Sequence, residues 1–177
     1  MKLLSKLSPL RLVGAAAFLF ILFPVVVAMS RPEELVGLNQ SSRYDDFAFS
    51  VLGARREKAV GEGRYQRVAS GVYVIVRMKV HNQAKRVSYR FQKGMPVLLD
   101  HQGTEYPIDP DAQAALDGQR NPVLNWPITI PAGQAFEVDL VFDVPNDRTD
   151  LRLRMGQGRV GVFLDNLFSG RKRFRIP

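Results

Sequence analysis

Apolar and polar residues alternate along most of the chain after residue 46, which is typical of β-strands that are buried on one side. The longest run is Val72–His81. One set of alternate positions is apolar and consists of Val72, Val74, Val76, Met78 and Val80. The other set consists of Tyr73, Ile75, Arg77, Lys79 and His81. This pattern predicts a strand with one face in a core and the other face at water or at a rim.

The same period predicts further short strands that are separated by turn residues. They are expected near 47–51, 87–91, 97–99, 104–108, 126–130, 136–144, 151–155, 160–164 and 173–176. A break falls at 109–125, where Asp111 is expected to cap a short helix that ends near Gly118. The connections are short and rich in Gly, Pro and Asn, which favours antiparallel neighbours. The pattern therefore predicts an all-β fold, an antiparallel β-sandwich of two sheets.

The N-terminal region differs from the rest because it contains an uninterrupted apolar run. Leu12–Met29 carries no charge over 18 positions, and Lys2, Lys6 and Arg11 precede it. Such a run is at the lower limit for a transmembrane helix, and its basic flank is expected to stay in the cytoplasm. Two alternatives stay open, a retained signal anchor and a signal peptide that is cleaved before Met29. Both place the later residues outside the cytoplasm, periplasmic or extracellular, and cleavage would make the protein secreted.

Three regions are therefore expected along the chain. Residues 1–29 form the transmembrane or signal helix, residues 30–46 form a polar and irregular tether, and residues 47–177 form the sandwich domain. The chain has no cysteine, so the domain lacks disulfides and thiol chemistry is excluded. The net charge is +8, to which the segment before the apolar run contributes three positive charges. The remaining excess favours anionic surfaces only mildly, and export argues against nucleic acid as a partner.

Residues that could carry catalysis or bind a metal are few and poorly grouped. The two histidines, His81 and His101, fall at a strand end and in a turn, and no Gly-x-Ser-x-Gly motif accompanies them. Asp109 and Asp111 lack the spaced carboxylates and the glycine of a calcium loop. The acidic residues of 137–143 lie on the outer face of one strand, where they are expected to support solubility. No catalytic, cofactor-binding or metal-ligating residue is predicted.

Basic residues near the C-terminus form the first candidate interaction surface. The set consists of Arg152, Arg154, Arg171, Lys172, Arg173 and Arg175. If the last two strands are neighbours, these side chains would form one positive patch. Such a patch could meet anionic lipid head groups or dock an acidic protein. A solvated face without a partner is the alternative interpretation.

Trp126 is the second candidate, because it is the single tryptophan and stands between Asn125 and Pro127 next to the 109–125 break. Two interpretations stay open for its side chain. It could belong to the core, or it could be a binding hot spot on a loop.

Four stretches carry a resemblance to a known family. They are Tyr73–Asn82, Val97–Asp100 with Gly103 and Tyr106, Ile130–Gln134 followed by Val141–Pro145, and Leu151–Leu153. In this order they resemble a family of bacterial exported Ig-like domains of unknown function, related in fold to secreted immunoprotective antigens. The resemblance implies an Ig-like sandwich in the cell envelope, where many members are lipoproteins. This chain lacks the lipid-attachment cysteine of those members, and the resemblance implies no catalytic residues.

The expected function is that of a non-catalytic, membrane-tethered extracytoplasmic domain that binds an envelope protein. The tether and the absence of a reactive cluster both favour this hypothesis. One alternative is a structural accessory subunit of a larger membrane or envelope complex, since Gly14–Ala17 would let another helix approach closely. A hydrolytic enzyme is the third alternative and has the weakest basis.

Overall fold

The computed structural model describes residues 33–44, 46–119, 124–156 and 171–177. The predicted N-terminal helix of residues 12–29 and the predicted strand at 160–164 lie outside these residues. Within the described ranges, no helix has the length and apolar character needed to cross a membrane. Strands dominate the described residues, which confirms the all-β prediction.

The described residues form a β-sandwich with one short helix. In chain order the strands are β1 (Glu33–Val36), β2 (Ser41–Tyr44), β3 (Phe47–Val60), β4 (Arg67–Asn82), β5 (Tyr89–Phe91), β6 (Pro96–Leu99), β7 (Glu105–Pro107), β8 (Ile128–Ile130), β9 (Ala135–Val144), β10 (Arg152–Met155) and β11 (Arg171–Arg175). The helix α1 (Pro110–Asp117) lies between β7 and β8. A five-stranded sheet has the order β1-β11-β10-β6-β7, a four-stranded sheet has the order β2-β3-β4-β9, and β5 pairs with β8. All neighbours are antiparallel except β1 and β11.

The core lies between the two larger sheets and is built by the alternation that the sequence shows. Val76, Met78 and Leu140 of the four-stranded sheet are fully buried, as are Leu98 and Leu153 of the five-stranded sheet. Full burial of an aliphatic side chain contributes about 1.5–3 kcal/mol. The prediction that β4 turns its Val and Met positions inward is therefore confirmed.

The segment expected to be an irregular tether contains two strands. β1 pairs with β11, β2 pairs with β3, and Val36 is packed into the core. The irregular conformation predicted for residues 30–46 is therefore wrong for residues 33–36 and 41–44. These strands are only four residues long and mostly polar, so backbone pairing to a neighbouring strand forms them without a clear alternation.

A second small core lies on the outer side of the four-stranded sheet. Tyr73 and Ile75 were expected at water or at a rim, but they are buried with Val60 and Val141 against Ala112 of α1. Burial raises the pKa of the Tyr73 hydroxyl, and nearby aspartates act in the same direction. The helix thus covers one half of a face that the sequence pattern leaves open.

The helix α1 is capped two residues earlier than predicted. Asp109, rather than Asp111, accepts hydrogen bonds at Oδ1 from the backbone N–H groups of Asp111 (3.0 Å) and Ala112 (2.8 Å). Pro110 occupies the first helical turn, where its missing N–H costs nothing. The helix ends at Asp117, before Gly118, as predicted.

Gln113 of α1 occupies the position of a strand next to β9, the edge strand of the four-stranded sheet. Its Nε2 donates to the carbonyl of Asp139 (2.9 Å), and its Oε1 accepts from the N–H of Val141 (3.0 Å). The carbonyl of Val141 accepts from the N–H of Asp109 (2.9 Å). These bonds fix the helix to the sheet and occupy backbone groups of Asp139 and Val141 in the middle of the edge.

The sandwich has two ends that carry different loops. We call the end at which β1 begins the entry end, and the opposite end the far end. β11 and β6 both run antiparallel to β10, and β1 runs parallel to β11. The starts of β1, β11 and β6 therefore all lie at the entry end. Tyr89 joins the two sheets there, since its ring stacks on Phe47 at 3.9 Å and its hydroxyl contacts Met95 at 3.3 Å. At the far end, Arg148 joins the sheets by contacting Asp100 and Arg56.

A fully buried asparagine pins the loops of the entry end. The Nδ2 of Asn82 donates to the carbonyls of Val87 (2.8 Å) and Ile130 (3.0 Å), and its Oδ1 accepts from the N–H of Ala84 (3.1 Å). Its backbone groups pair with Gly133 and Gln134 of the turn before β9. One side chain therefore fixes the loop after β4 against β8 and the adjacent turn.

Candidate interaction surfaces

The two strands that carry the C-terminal basic residues are neighbours, which is the condition for a shared basic patch. β10 and β11 are antiparallel, with Arg152 opposite Arg175 and Leu153 opposite Phe174. Because Leu153 and Phe174 point into the core, the alternate positions of both strands point outward. The outward residues of these two strands whose side chains are described form a surface that we call the arginine face: Arg152, Arg154, Arg173 and Arg175.

The predicted basic patch is only partly assembled on this face. Lys172 lies near the entry end and on the same side of the sheet as Phe174. It is therefore separated from the four arginines. The backbone of Arg171 opposes Glu33 in β1, while its side chain lies outside the described part of the structure. The strand period therefore separates Lys172 from its sequence neighbours.

Carboxylates on neighbouring elements offset much of the charge of the arginine face. Arg152 bonds Asp150 (2.9 Å) and Glu33 (3.1 Å), and Arg154 bonds Glu105 (2.9 Å). The hydrogen bond to Asp150 is the main reason that the pKa of Arg152 is raised above its ordinary value, and Glu33 adds to it. The paired carboxylates come from β1, β7 and a turn. The positive charge of the folded surface is therefore smaller than the run of basic residues in the sequence suggests.

Arg175 differs from the other members of the arginine face. It is exposed, and it forms no ion pair with any residue within the described ranges. Arg154, by contrast, is 14% exposed at its side chain. Arg175 is therefore the member of the face whose charge is most available to a partner.

Trp126 packs against the core rather than projecting from a loop. Its side chain is half-buried, and its ring centroid lies 5.6 Å from that of Phe91. Its Nε1 donates to Oδ2 of Asp117 (2.7 Å), whose Oδ1 accepts from Gln113 (2.9 Å). The ammonium group of Lys93 lies 5.5 Å from the ring centroid. These contacts favour the core interpretation of Trp126, with only part of the ring left for a ligand.

Most acidic side chains of the outer strand faces serve structural bonds. Asp139 pairs with Arg55 (3.4 Å), and Glu137 pairs with Arg77 (3.5 Å). Asp143 accepts the N–H groups of Ser70 and Gly71, whose missing side chain lets β4 pass close to Val144. The described residues contain no group of three or more side chains that could hold a metal ion.

The two histidines lie at opposite ends of the sandwich. His81 opposes Ala135 near the entry end, and His101 lies in the far-end hairpin between β6 and β7. They cannot act together on one substrate, and each occupies the strand end or turn that the sequence predicts.

Asp100 organises the far end in the way that Asn82 organises the entry end. It is 4% exposed, and its carboxylate accepts from the N–H groups of Gln102 and Thr104 (both 2.9 Å) and from the hydroxyl of Tyr106 (3.1 Å). Arg148 adds an ion pair at 3.5 Å. Burial alone would raise the pKa of Asp100, but the hydrogen bonds outweigh burial and leave the pKa below its ordinary value. Asp100 is therefore a charged anchor of the hairpin rather than a reactive acid.

A basic loop at the entry end was missed by the sequence analysis. The segment between β4 and β5 carries exposed Lys85, Arg86 and Val87, and Arg90 in β5 is exposed as well. The signal in the sequence was the position of Val87 directly after Lys85 and Arg86. Because Val87 alternates in step with Tyr89 and Phe91, it was instead predicted to point inward. Val87 instead precedes β5 and is 66% exposed.

A cleft of about 560 Å³ separates α1 from the 3-10 turn Gly63–Tyr65. Ala114 and Ala115 supply its apolar wall, and the charged residues at its rim, such as Arg67 and Asp111, are exposed. A ligand site typically needs polar groups that converge inside an enclosed pocket. The cleft is therefore a surface groove beside the helix.

The fold is similar to that of several solved bacterial proteins. The secreted protein MPT63 from Mycobacterium tuberculosis has a TM-score of 0.54 at 18% identity, over 73% of this chain and 94% of that chain. A conserved hypothetical protein from Bacillus anthracis has a TM-score of 0.54 at 13% identity, over 66% and 87%. An uncharacterised β-sandwich protein from Clostridium difficile 630 has a TM-score of 0.51 at 12% identity, over 84% and 97%. At these identities the likeness shows the sandwich fold alone.

The sequence itself gives a more specific match. No functionally curated protein matches the chain. A family model described as a domain of unknown function, DUF4352, matches residues 36–162. The match begins at Val36, the last residue of β1, so it includes β2, which was predicted to be part of a tether.

Proposed function

Because the chain belongs to DUF4352, a domain family of unknown function, we propose a function from its surfaces: a non-catalytic extracytoplasmic domain, tethered to the membrane, that binds an acidic envelope protein. The observation that carries the proposal is the arginine face. Complementary charges on two partner surfaces increase the specificity of binding and the rate of association. The family match names no catalytic activity.

The location is inferred from the N-terminal sequence. The uncharged run Leu12–Met29 follows three basic residues, which is the arrangement of an anchor whose downstream domain is exported. A retained anchor would hold the sandwich at the membrane surface. A reporter fused to the C-terminus that is active only inside the cell would contradict this location.

The geometry indicates which arginines a partner would engage. Arg152 and Arg173 are held by Glu33 on β1, so they already have a structural role. Arg175 is exposed and forms no ion pair with any described residue. Arg154 is paired with Glu105, whose side chain is 55% exposed. Arg175 and Arg154 are therefore the residues at which a partner would add its carboxylates.

Affinity capture of the tagged full-length chain from solubilised membranes tests this proposal. We expect the double variant Arg154→Glu/Arg175→Glu to lose a partner that the unchanged chain retains. Arg77→Glu is the matched control, because Arg77 is exposed on the outer face of the opposite sheet and lies beside Glu137. Retention of the same partners by the double variant would contradict binding through the arginine face.

Cross-linking in intact membranes separates this function from the main alternative. A partner present in fixed stoichiometry in every cross-linked species would favour a structural accessory subunit. An exchangeable partner, competed by salt, would favour the binding domain, because an exposed charged interface weakens as ionic strength rises.

A further inference from the structure

The chain enters the sandwich very close to the predicted anchor. The apolar run ends at Met29 and β1 begins at Glu33, so only residues 30–32 separate them. Three residues in an extended conformation span roughly 10 Å. If the anchor is retained, as the proposed function assumes, the entry end must stand next to the bilayer surface and the far end must point away from it.

The basic loop lies at this same end. β4 runs from the far end to the entry end, where Asn82 opposes Phe47, and residues 83–88 follow it directly. The N–H of Gln83 donates to the carbonyl of Asp46 at the start of β3 (2.7 Å). The loop is therefore part of the surface that the short connection brings towards the lipid.

The chemistry of the loop matches an anionic bilayer surface. Lys85, Arg86 and Arg90 are exposed, and none of them forms an ion pair with a residue that the structure describes. Val87 stands between these cations with 66% of its surface exposed. An apolar side chain surrounded by basic residues suits the boundary between head groups and acyl chains, where both interactions add.

The loop is also pre-ordered for contact. The carbonyl of Val87 is held by Nδ2 of fully buried Asn82 (2.8 Å), and the N–H of Ala84 is held by Oδ1 of the same side chain (3.1 Å). Ala84 is buried beneath the loop. The buried amide thus fixes the backbone on both sides of the two cations, so contact with lipid does not require the loop to fold first.

We propose that the loop Gln83–Arg90 rests on the anionic head groups of the membrane that holds the anchor, with Val87 inserted at the interface. This contact would fix the orientation of the sandwich and leave the arginine face at its side open to a partner. Each basic residue near an anionic surface increases binding roughly fivefold, so the three together contribute about a hundredfold.

The test uses the full-length chain in vesicles of mixed phosphatidylglycerol and phosphatidylcholine, and in vesicles of phosphatidylcholine alone. The chain has no cysteine, so Val87→Cys gives a single site for an environment-sensitive fluorophore. Val68→Cys is the matched control, because Val68 is 70% exposed and lies near the far-end start of β4. We expect the label at residue 87 to emit at shorter wavelength and to resist aqueous quenchers in the anionic vesicles, and the label at residue 68 to remain water-exposed in both.

A second variant tests the charges. In the anionic vesicles, Lys85→Gln/Arg86→Gln/Arg90→Gln should return the label at residue 87 to the water-exposed signal. Equal exposure of residues 87 and 68 in chains that float with the vesicles would overturn the loop contact while leaving the tether intact. Failure of the chain to float with the vesicles would contradict the membrane tether, and the loop contact that depends on it would be contradicted as well. The flotation and fluorescence readouts therefore separate the two failures.

Discussion

The two ends of the sandwich are each held by one buried polar side chain, but one side chain is neutral and the other is charged. Asn82 at the entry end satisfies backbone carbonyls and an N–H group without a counter-charge. Asp100 at the far end collects hydrogen-bond donors and the guanidinium of Arg148. The neutral anchor leaves the nearby cations Lys85 and Arg86 facing solvent, whereas the charged anchor pairs with Arg148, a cation of the turn between β9 and β10. The charge available on a surface therefore depends on what the buried residues beneath it require.

Asn82→Ala tests the neutral anchor and should have the largest effect. The substitution leaves two carbonyls and one N–H group without their partner, and each buried unsatisfied group costs about 1–3 kcal/mol, so we expect a loss of about 3–5 kcal/mol. Urea unfolding of residues 30–177 at pH 7 measures the loss. Asn125→Ala is the control, because Asn125 is exposed. Equal stability of the two variants would show that Asn82 does not hold the entry end.

Asp100→Asn tests the charged anchor and should change the pH dependence of stability. The folded pKa of Asp100 lies below its unfolded value, so its contribution is complete above about pH 4 and is lost as the pH falls through the folded pKa. We expect the variant to be less stable at pH 7, because its amide cannot accept every donor, and to lose less additional stability on acidification.

Thermal unfolding between pH 7 and pH 3 measures this difference. Asp147→Asn is the matched control in an exposed position of the far-end turn. An acid dependence for Asp100→Asn that parallels the unchanged chain would contradict the role of the carboxylate. Asn82→Ala should preserve the acid dependence, which would confirm that the two ends are held by different chemistry.

Glu105→Gln should have the smallest effect on stability, because it removes one exposed partner of the arginine face. A surface ion pair contributes about 0–1 kcal/mol, so we expect a loss near 0.5 kcal/mol that disappears in high salt. The variant makes Arg154 resemble the unpaired cations of the entry end. Partner capture should therefore increase while urea unfolding stays nearly unchanged, and weaker capture would argue that Glu105 itself contacts the partner.

The sandwich could be predicted from the sequence because its central strands are long. β4 carries an apolar residue at every second position of Val72–Val80, and β9 does so over Phe136–Val144. These positions are buried or partly buried, as their period predicts. β1 and β2 were missed because four residues are too few to show a period, and their strand conformation depends on distant neighbours. The burial of Tyr73 and Ile75 was missed for a similar reason, since α1 covers them from a later part of the chain.

The candidate surfaces were predicted less completely than the fold. The pairing of β10 with β11 was the condition on which the basic patch depended. Glu33 and Glu105 reach the arginines through tertiary contacts that sequence spacing does not reveal. The basic loop was hidden because Val87 continues the alternation of β5 in the sequence. The exposure of Val87 and the bond from buried Asn82 to its carbonyl show that the alternation stops before the strand begins.

The amide of Gln113 has a consequence for copies of this protein that crowd together. A strand edge with open N–H and C=O groups invites a second molecule to continue the sheet, which leads to polymers. Along the middle of β9 those groups are already occupied by Gln113 and Asp109 of the same chain. Molecules confined side by side in two dimensions could therefore collide at this edge without zippering into a common sheet.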